Sequence, residues 1–194
     1  MNGHLIELAN WPKGSTVRAI LVQNKIGQLK DLTSSSSQLS SPLDREFLKL
    51  VRNSADLVII GAQTIRTENP PAPNCAVFLL SNSLDLDPNF RIFENEKTFI
   101  LSKLAHPSLK TIVMPELSPQ RILQQAAELN YEKVLIEGGG GVFKEFINAN
   151  LLTEALISVN STTGSGEILH RSKFGLNLMQ QVNLAGFNFQ RWLK

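Results

Sequence analysis

The sequence has one cysteine, Cys75, so no disulfide can close within the chain, and a reducing compartment is expected. One thiol cannot furnish a zinc site. The histidines His4, His106 and His170 lie far apart without ligand spacing, so no metal is expected. No apolar run reaches membrane-spanning length. The stretch from Met1 to Trp11 carries Glu7 and lacks a basic start leading into an apolar run, so no signal peptide is read there. These absences predict a cytoplasmic protein without a membrane partner. The net charge is only +2, with Lys and Arg spread along the chain, which argues against nucleic acid as a partner. No internal repeat is visible. Apolar residues at 42% and charged residues at 19% of 194 exclude a disordered chain and fit one globular domain.

What is present alternates between strand and helix signals. Val17–Val22, Asp56–Ile60, Cys75–Leu80, Thr98–Leu101, Thr111–Met114, Lys133–Ile136 and Ala155–Val159 read as short apolar strands. Pro42–Asn53 reads as a helix with Ser41 as cap and an apolar stripe of Phe47, Leu48 and Val51. Ser118–Leu129 and about Val142–Asn150 read as two more. The serine-rich Thr33–Ser41 reads as a surface loop. Gly186–Trp192 alternates apolar and polar residues, as a late antiparallel strand would. The pattern predicts an α/β domain around a mixed sheet.

Two segments carry chemistry. In VLIEGGGGVFKEF, Val134–Phe146, a strand runs into four glycines and then a helix. Glycine lets the backbone approach a ligand, and a helix start presents free N–H groups to an anion, so a pyrophosphate is the natural guest. Neither the nucleoside-triphosphate loop nor the spaced dinucleotide fingerprint is present. Glu137, just before the glycines, either orients a ligand or stabilises its own loop. The second segment is GAQTIRTENP, Gly61–Pro70, directly after a strand: Gly61 permits close approach, Thr64 offers a hydroxyl and Arg66 a fork for phosphate.

Together with VRAILV, LSSPLDREFLKLVRNSADLVII, LSNSLDLDP, the stretch running on to INANLLTEALI, and GFNFQRW, these two loops resemble the C-terminal reductase domain of the bifunctional riboflavin-biosynthesis deaminase/reductase. The likeness is to its single-domain pyrimidine reductase branch and spans nearly the whole chain. It implies a dihydrofolate-reductase-like three-layer sandwich with a central mixed, mostly parallel sheet. It implies an NADPH-dependent reduction of the ribosyl group of 5-amino-6-(5-phosphoribosylamino)uracil. A homodimer is implied too, and Phe187, Phe189 and Trp192 in the last strand offer aromatic surface for one. The resemblance implies cofactor contacts at Gly61, Ala62, Thr64, Gly138, Gly139 and Gly140, with Ser81 beside them. It implies substrate contacts at Asn24, Ser40, Ser41, Arg66 and Asn69. Lys25, Glu137 or water can supply the proton that the sugar oxygen needs. The deaminase's His-x-Glu and Pro-Cys-x-x-Cys are absent.

The chain departs from the family pattern twice. Ile26 stands where the family carries an Asp near the substrate, which bears on turnover. Ser81-Asn82-Ser83 stands where the family often carries an Arg for the 2′-phosphate, which bears on the choice of NADPH over NADH. A nucleotide-binding relative without this activity, and a reductase of another heterocycle such as a pterin, are the competing expectations.

Overall fold

A computed structural model describes residues 2–32, 36–137 and 140–194. The elements in chain order are α1 (Gly3–Ala9), β1 (Val17–Asn24), β2 (Gln28–Lys30), α2 (Pro42–Arg52), β3 (Leu57–Gly61), α3 (Ala62–Glu68) and β4 (Ala76–Leu80). There follow β5 (Thr98–Ser102), β6 (Thr111–Val113), α4 (Pro119–Glu128), β7 (Val134–Glu137), α5 (Gly140–Asn148), β8 (Glu154–Asn160), β9 (Ser165–Ile168), β10 (Asn177–Leu184) and β11 (Phe187–Leu193).

Among the described residues one nine-stranded sheet dominates, in the order β10-β11-β8-β1-β7-β3-β4-β5-β6. From β8 to β6 every neighbouring pair is parallel; β11 is antiparallel to β8 and β10. This is the mixed, mostly parallel sheet the sequence predicts. The strands read as unbroken apolar runs because both faces are covered. On one face α4 and α5 press Ile122, Ala126, Phe143 and Phe146 onto Val17, Ile59, Phe78 and Ile136. On the other, α1, α2 and α3 press Leu5, Leu8, Phe47, Val51 and Ile65 onto Ile20, Val58, Leu79 and Leu135. Each fully buried Leu, Ile or Phe contributes roughly 1.5–3 kcal/mol.

The chain order positions the site. β3, β4, β5 and β6 step outward from the sheet centre, and β7 then returns to the slot between β1 and β3. The strand order reverses there, and ligands of open α/β sheets bind beyond the carboxyl ends of strands at such a point.

Several elements depart from the sequence reading. Gly61–Pro70 is not a loop throughout: Ala62–Glu68 is helical and closes on Asn69, which adopts the left-handed conformation at φ 40°. α1, β2, β9 and β10 were not legible. β10 faces solvent over much of its length, so it lacks the apolar signal of its neighbours. Phe187–Leu193 is an antiparallel strand as expected, but not an edge: β10 covers it. Phe189 is fully buried against Phe47, with ring centroids 5.3 Å apart, so its aromatic surface serves its own core and gives no argument for a dimer.

Candidate active site

β7 and β3 pair in parallel with Ile60 opposite Glu137, so the two glycine segments leave the sheet side by side at the same edge. That adjacency is the one their sequences predict. Gly138 and Gly139 lie outside the described residues. Gly140 and Gly141 open α5; a Cβ on Gly141 would meet nothing within 4 Å, whereas one on Gly61 would stand 3.1 Å from Val142 Cγ2. The helices that start here diverge to opposite faces of the sheet, α3 to one and α5 to the other.

Between them lies a cleft of about 450 Å³, within the range of small-molecule sites. Gly61, Ala62 and Arg66 line its α3 side, Ser81, Asn82 and Ser83 its floor beyond β4, and Gly141, Val142 and Glu145 its α5 side. Ala62 and Arg66 share a face because they are one helical turn apart. Ser81 is 3% exposed, and its hydroxyl has no hydrogen-bond partner among the described residues. A buried, unpartnered hydroxyl beside an open glycine start is the pattern of a site made for a polar ligand.

A second group gathers at the ends of β1 and β8. Asn24 is buried, and its amide oxygen accepts from the N–H groups of Ile26 and Gln28 at 3.2 and 2.9 Å while its nitrogen donates to Gln28 at 2.8 Å. The turn it holds presents Lys25 and Ile26 to solvent, Ile26 at 58% exposure. Gly27 follows at φ +95°. Ser41 caps α2, accepting from the Asp44 N–H at 3.1 Å. Ser40 donates to the Asp44 carboxylate at 2.7 Å. Burial raises the Asp44 pKa above its ordinary value, against the hydrogen bond from Ser40 and the charge of Arg45. Ser158 lies beside this carboxyl with its hydroxyl otherwise unpartnered.

The predicted residues therefore separate into two places. Gly61, Ala62, Ser81 and Arg66 line the cleft. Thr64 and Asn69 are not among its lining residues; Asn69 ends α3 and accepts from the Arg91 N–H at 2.9 Å, holding a neighbouring turn. Asn24, Ser40 and Ser41 sit at the β1 and β8 ends, each engaged by its own turn or helix. Arg66 thus stands with the expected cofactor residues, apart from the expected substrate residues with which the sequence grouped it.

Glu137 is buried at the end of β7 and held by both arms of Arg52: Nε at 2.5 Å, and Nη2 on the other oxygen. This fork-to-fork pair engages both carboxylate oxygens. It favours the structural reading of Glu137 over a proton-transfer role. Arg52 was missed because it lies 85 positions from Glu137 and looks like an ordinary basic residue in the last turn of a helix. Asp44 was missed because a carboxylate in a first turn reads as a capping residue.

The fold recurs in known proteins. The family described as RibD C-terminal domain matches residues 27–187. The riboflavin biosynthesis protein RibD of Synechocystis is 28% identical over 140 residues, 62% of this chain and 38% of that protein. The chain thus spans well under half of that relative. A pyrimidine reductase-like protein of Corynebacterium diphtheriae superposes with a TM-score of 0.80 at 17% identity, covering 97% of this chain and 98% of that one. A Thermotoga maritima deaminase/5-amino-6-(5-phosphoribosylamino)uracil reductase gives 0.78 at 18% identity, over 92% and 56%. The dihydrofolate reductase of Enterococcus faecalis gives 0.59 at 18% identity, over 92% and 95%, which bears out the predicted fold class. With most of its length matched to the family, the chain belongs to the RibD C-terminal domain family.

Proposed function

We propose that this protein is a reductase of the riboflavin-biosynthesis type, taking hydride from NADPH to open and reduce the ribosyl group of 5-amino-6-(5-phosphoribosylamino)uracil. The observation that carries the cofactor reading is the cleft over the β7 and β3 ends, with its open glycine start and the unpartnered Ser81 hydroxyl. Family membership supports the substrate reading. When bound, the nicotinamide would supply the hydride; the chain supplies position and electrostatics. Gly61 and Gly141 would admit the dinucleotide backbone, and the α5 start would face its pyrophosphate. Asn24 keeps the β1–β2 turn closed beside the substrate end. Glu137 has both oxygens engaged by Arg52, which leaves the exposed Lys25 or water to deliver the proton.

A second reading has a specific observation behind it. Ile26 offers no carboxylate, and Asn24 cannot stand in for one without releasing the Ile26 and Gln28 N–H groups. On this reading the protein binds the cofactor and turns the substrate over slowly. A lost transition-state hydrogen bond is worth roughly 10²- to 10³-fold in rate.

Calorimetric titration with NADPH and NADH, followed by steady-state kinetics of wild type and Ile26→Asp, separates these readings. Normal turnover by wild type with no gain in the variant removes the slow-turnover reading. Absence of binding by either dinucleotide at millimolar concentration removes both.

A further inference from the structure

We propose that Arg66 reads the phosphate on the adenosine ribose, so that the cleft selects NADPH over NADH without an arginine on the segment after β4. The inference rests on the nicotinamide reading above and concerns which group sets its phosphate selectivity.

The segment after β4 has no charge of its own at Ser81, Asn82 and Ser83. A phosphate arriving there would need a cation from elsewhere. Arg66 is the one cation among the described lining residues of the cleft, and it comes from α3. Its Nη1 donates to the Asp85 carbonyl at 2.9 Å, which fixes the guanidinium against the β4 segment just past Ser83. A guanidinium has five N–H donors. Among the described residues this is the only hydrogen bond Arg66 makes, and no carboxylate pairs with it. The fork is held in place from one side, and its other donors are free for a ligand.

Position distinguishes this phosphate from the pyrophosphate. The glycine start of α5 lies over β7, beside Gly61 at the end of β3. Arg66 reaches outward from there, to the segment that follows β4, the next strand in the sheet. A dinucleotide lying across these strand ends, with its pyrophosphate at the α5 start, would bring its adenosine ribose toward β4 and Arg66. Glu145, the one carboxylate of the lining, belongs to α5 on the opposite face of the sheet from α3. It therefore leaves the attraction of Arg66 for a dianion on the α3 side unopposed by an ion pair.

The test is calorimetric titration of wild type, Arg66→Gln and Arg66→Lys with NADPH and with NADH, each variant first shown to be folded by its thermal melt. Wild type is expected to prefer NADPH. Arg66→Gln should weaken NADPH about 10- to 100-fold, the range for a charge-assisted contact, and NADH by less than about 3-fold. Arg66→Lys should fall between, keeping the charge and losing the fork. On wild type alone, 2′,5′-ADP should displace bound dinucleotide more effectively than 5′-ADP, which tests the idea even where a variant fails to fold. Equal wild-type affinity for the two dinucleotides, or a loss in Arg66→Gln that is the same for both, overturns the assignment while leaving the cofactor reading intact. If neither dinucleotide binds wild type, the cofactor reading fails and this assignment with it.

Discussion

Replacing Ser81 with alanine should strengthen the empty protein and weaken the bound one. The Ser81 hydroxyl is buried, with no partner among the described residues. A buried hydroxyl without a partner costs roughly 1–3 kcal/mol. Alanine removes that cost and leaves no large cavity, so Ser81→Ala should gain about 1 kcal/mol without ligand. For a chain of this size that is about 2–4 °C in Tm. If the hydroxyl meets the cofactor, the complex loses a neutral hydrogen bond of about 0.5–1.5 kcal/mol, and Kd for NADPH rises roughly 2- to 12-fold. Ligand stabilises the folded state by RT ln(1 + [L]/Kd), so the weaker binding should offset the gain under excess cofactor. The variant should therefore melt above wild type alone and level with or below it in saturating NADPH. Differential scanning fluorimetry with and without NADPH reads both effects. If Ser81→Ala is less stable than wild type without ligand, the hydroxyl is satisfied in the free protein and the reasoning is wrong. If its advantage persists unchanged with cofactor, the hydroxyl does not meet the ligand.

Other perturbations follow from the same structure. Glu154 is fully buried between Arg18 Nε at 2.8 Å and Arg191 Nε at 3.0 Å, the latter too poorly aimed for a hydrogen bond. Both arginines also bind the carbonyls that end α1, Arg18 on Ala9 at 2.6 Å and Arg191 on Asn10 at 2.6 Å. Glu154→Gln leaves buried guanidinium charge uncompensated and should cost about 3–5 kcal/mol in urea unfolding; a loss under about 1 kcal/mol would show the pair to be dispensable. Gly27 has φ +95°, and a Cβ there would lie 2.8 Å from the Leu169 carbonyl oxygen. Gly27→Ala should destabilise by about 2 kcal/mol and disturb the Lys25–Ile26 turn, and an unchanged melt would contradict this. Asp44 has its pKa raised by burial, so its contribution is fully present below the ordinary value of 3.8 and is lost as pH rises through the raised one. Asp44→Asn keeps an acceptor for Ser40 and cannot ionise, so its stability relative to wild type should climb as pH rises from the ordinary value of 3.8 through the raised one. A flat difference in urea midpoint across that range would refute the buried-carboxyl account.

Much of the fold was written locally. The parallel strands announce themselves because burial on both faces demands unbroken apolar runs such as LVII and AVFLL. α2 is marked by Ser41 as cap and Pro42 in its first turn, with Phe47 and Val51 one turn apart, and all of these signals are satisfied within a few residues. The glycine segments are legible for the same reason, since backbone freedom is a property of the residue itself. α3 was hidden by its glycine start and its left-handed Asn69 end, which read locally as a loop. β10 was hidden because an edge strand facing solvent needs no apolar pattern.

What a side chain does at the site was mostly not legible, because it depends on partners that sheet register delivers from far away. The sequence left Glu137 open between orienting a ligand and stabilising its own loop, and Arg52, 85 positions earlier, is what engages it. Ser40 looked like a ligand hydroxyl until Asp44 engaged it, whereas the role of Ser41 as the α2 cap was already legible. Arg66 looked like a substrate residue until α3 turned it toward the segment beyond β4. The sequence by itself determined which strands form and where glycine lets a ligand approach. Only the tertiary structure decided which charges remain available to meet that ligand, because a charge is neutralised or left free by what folds against it.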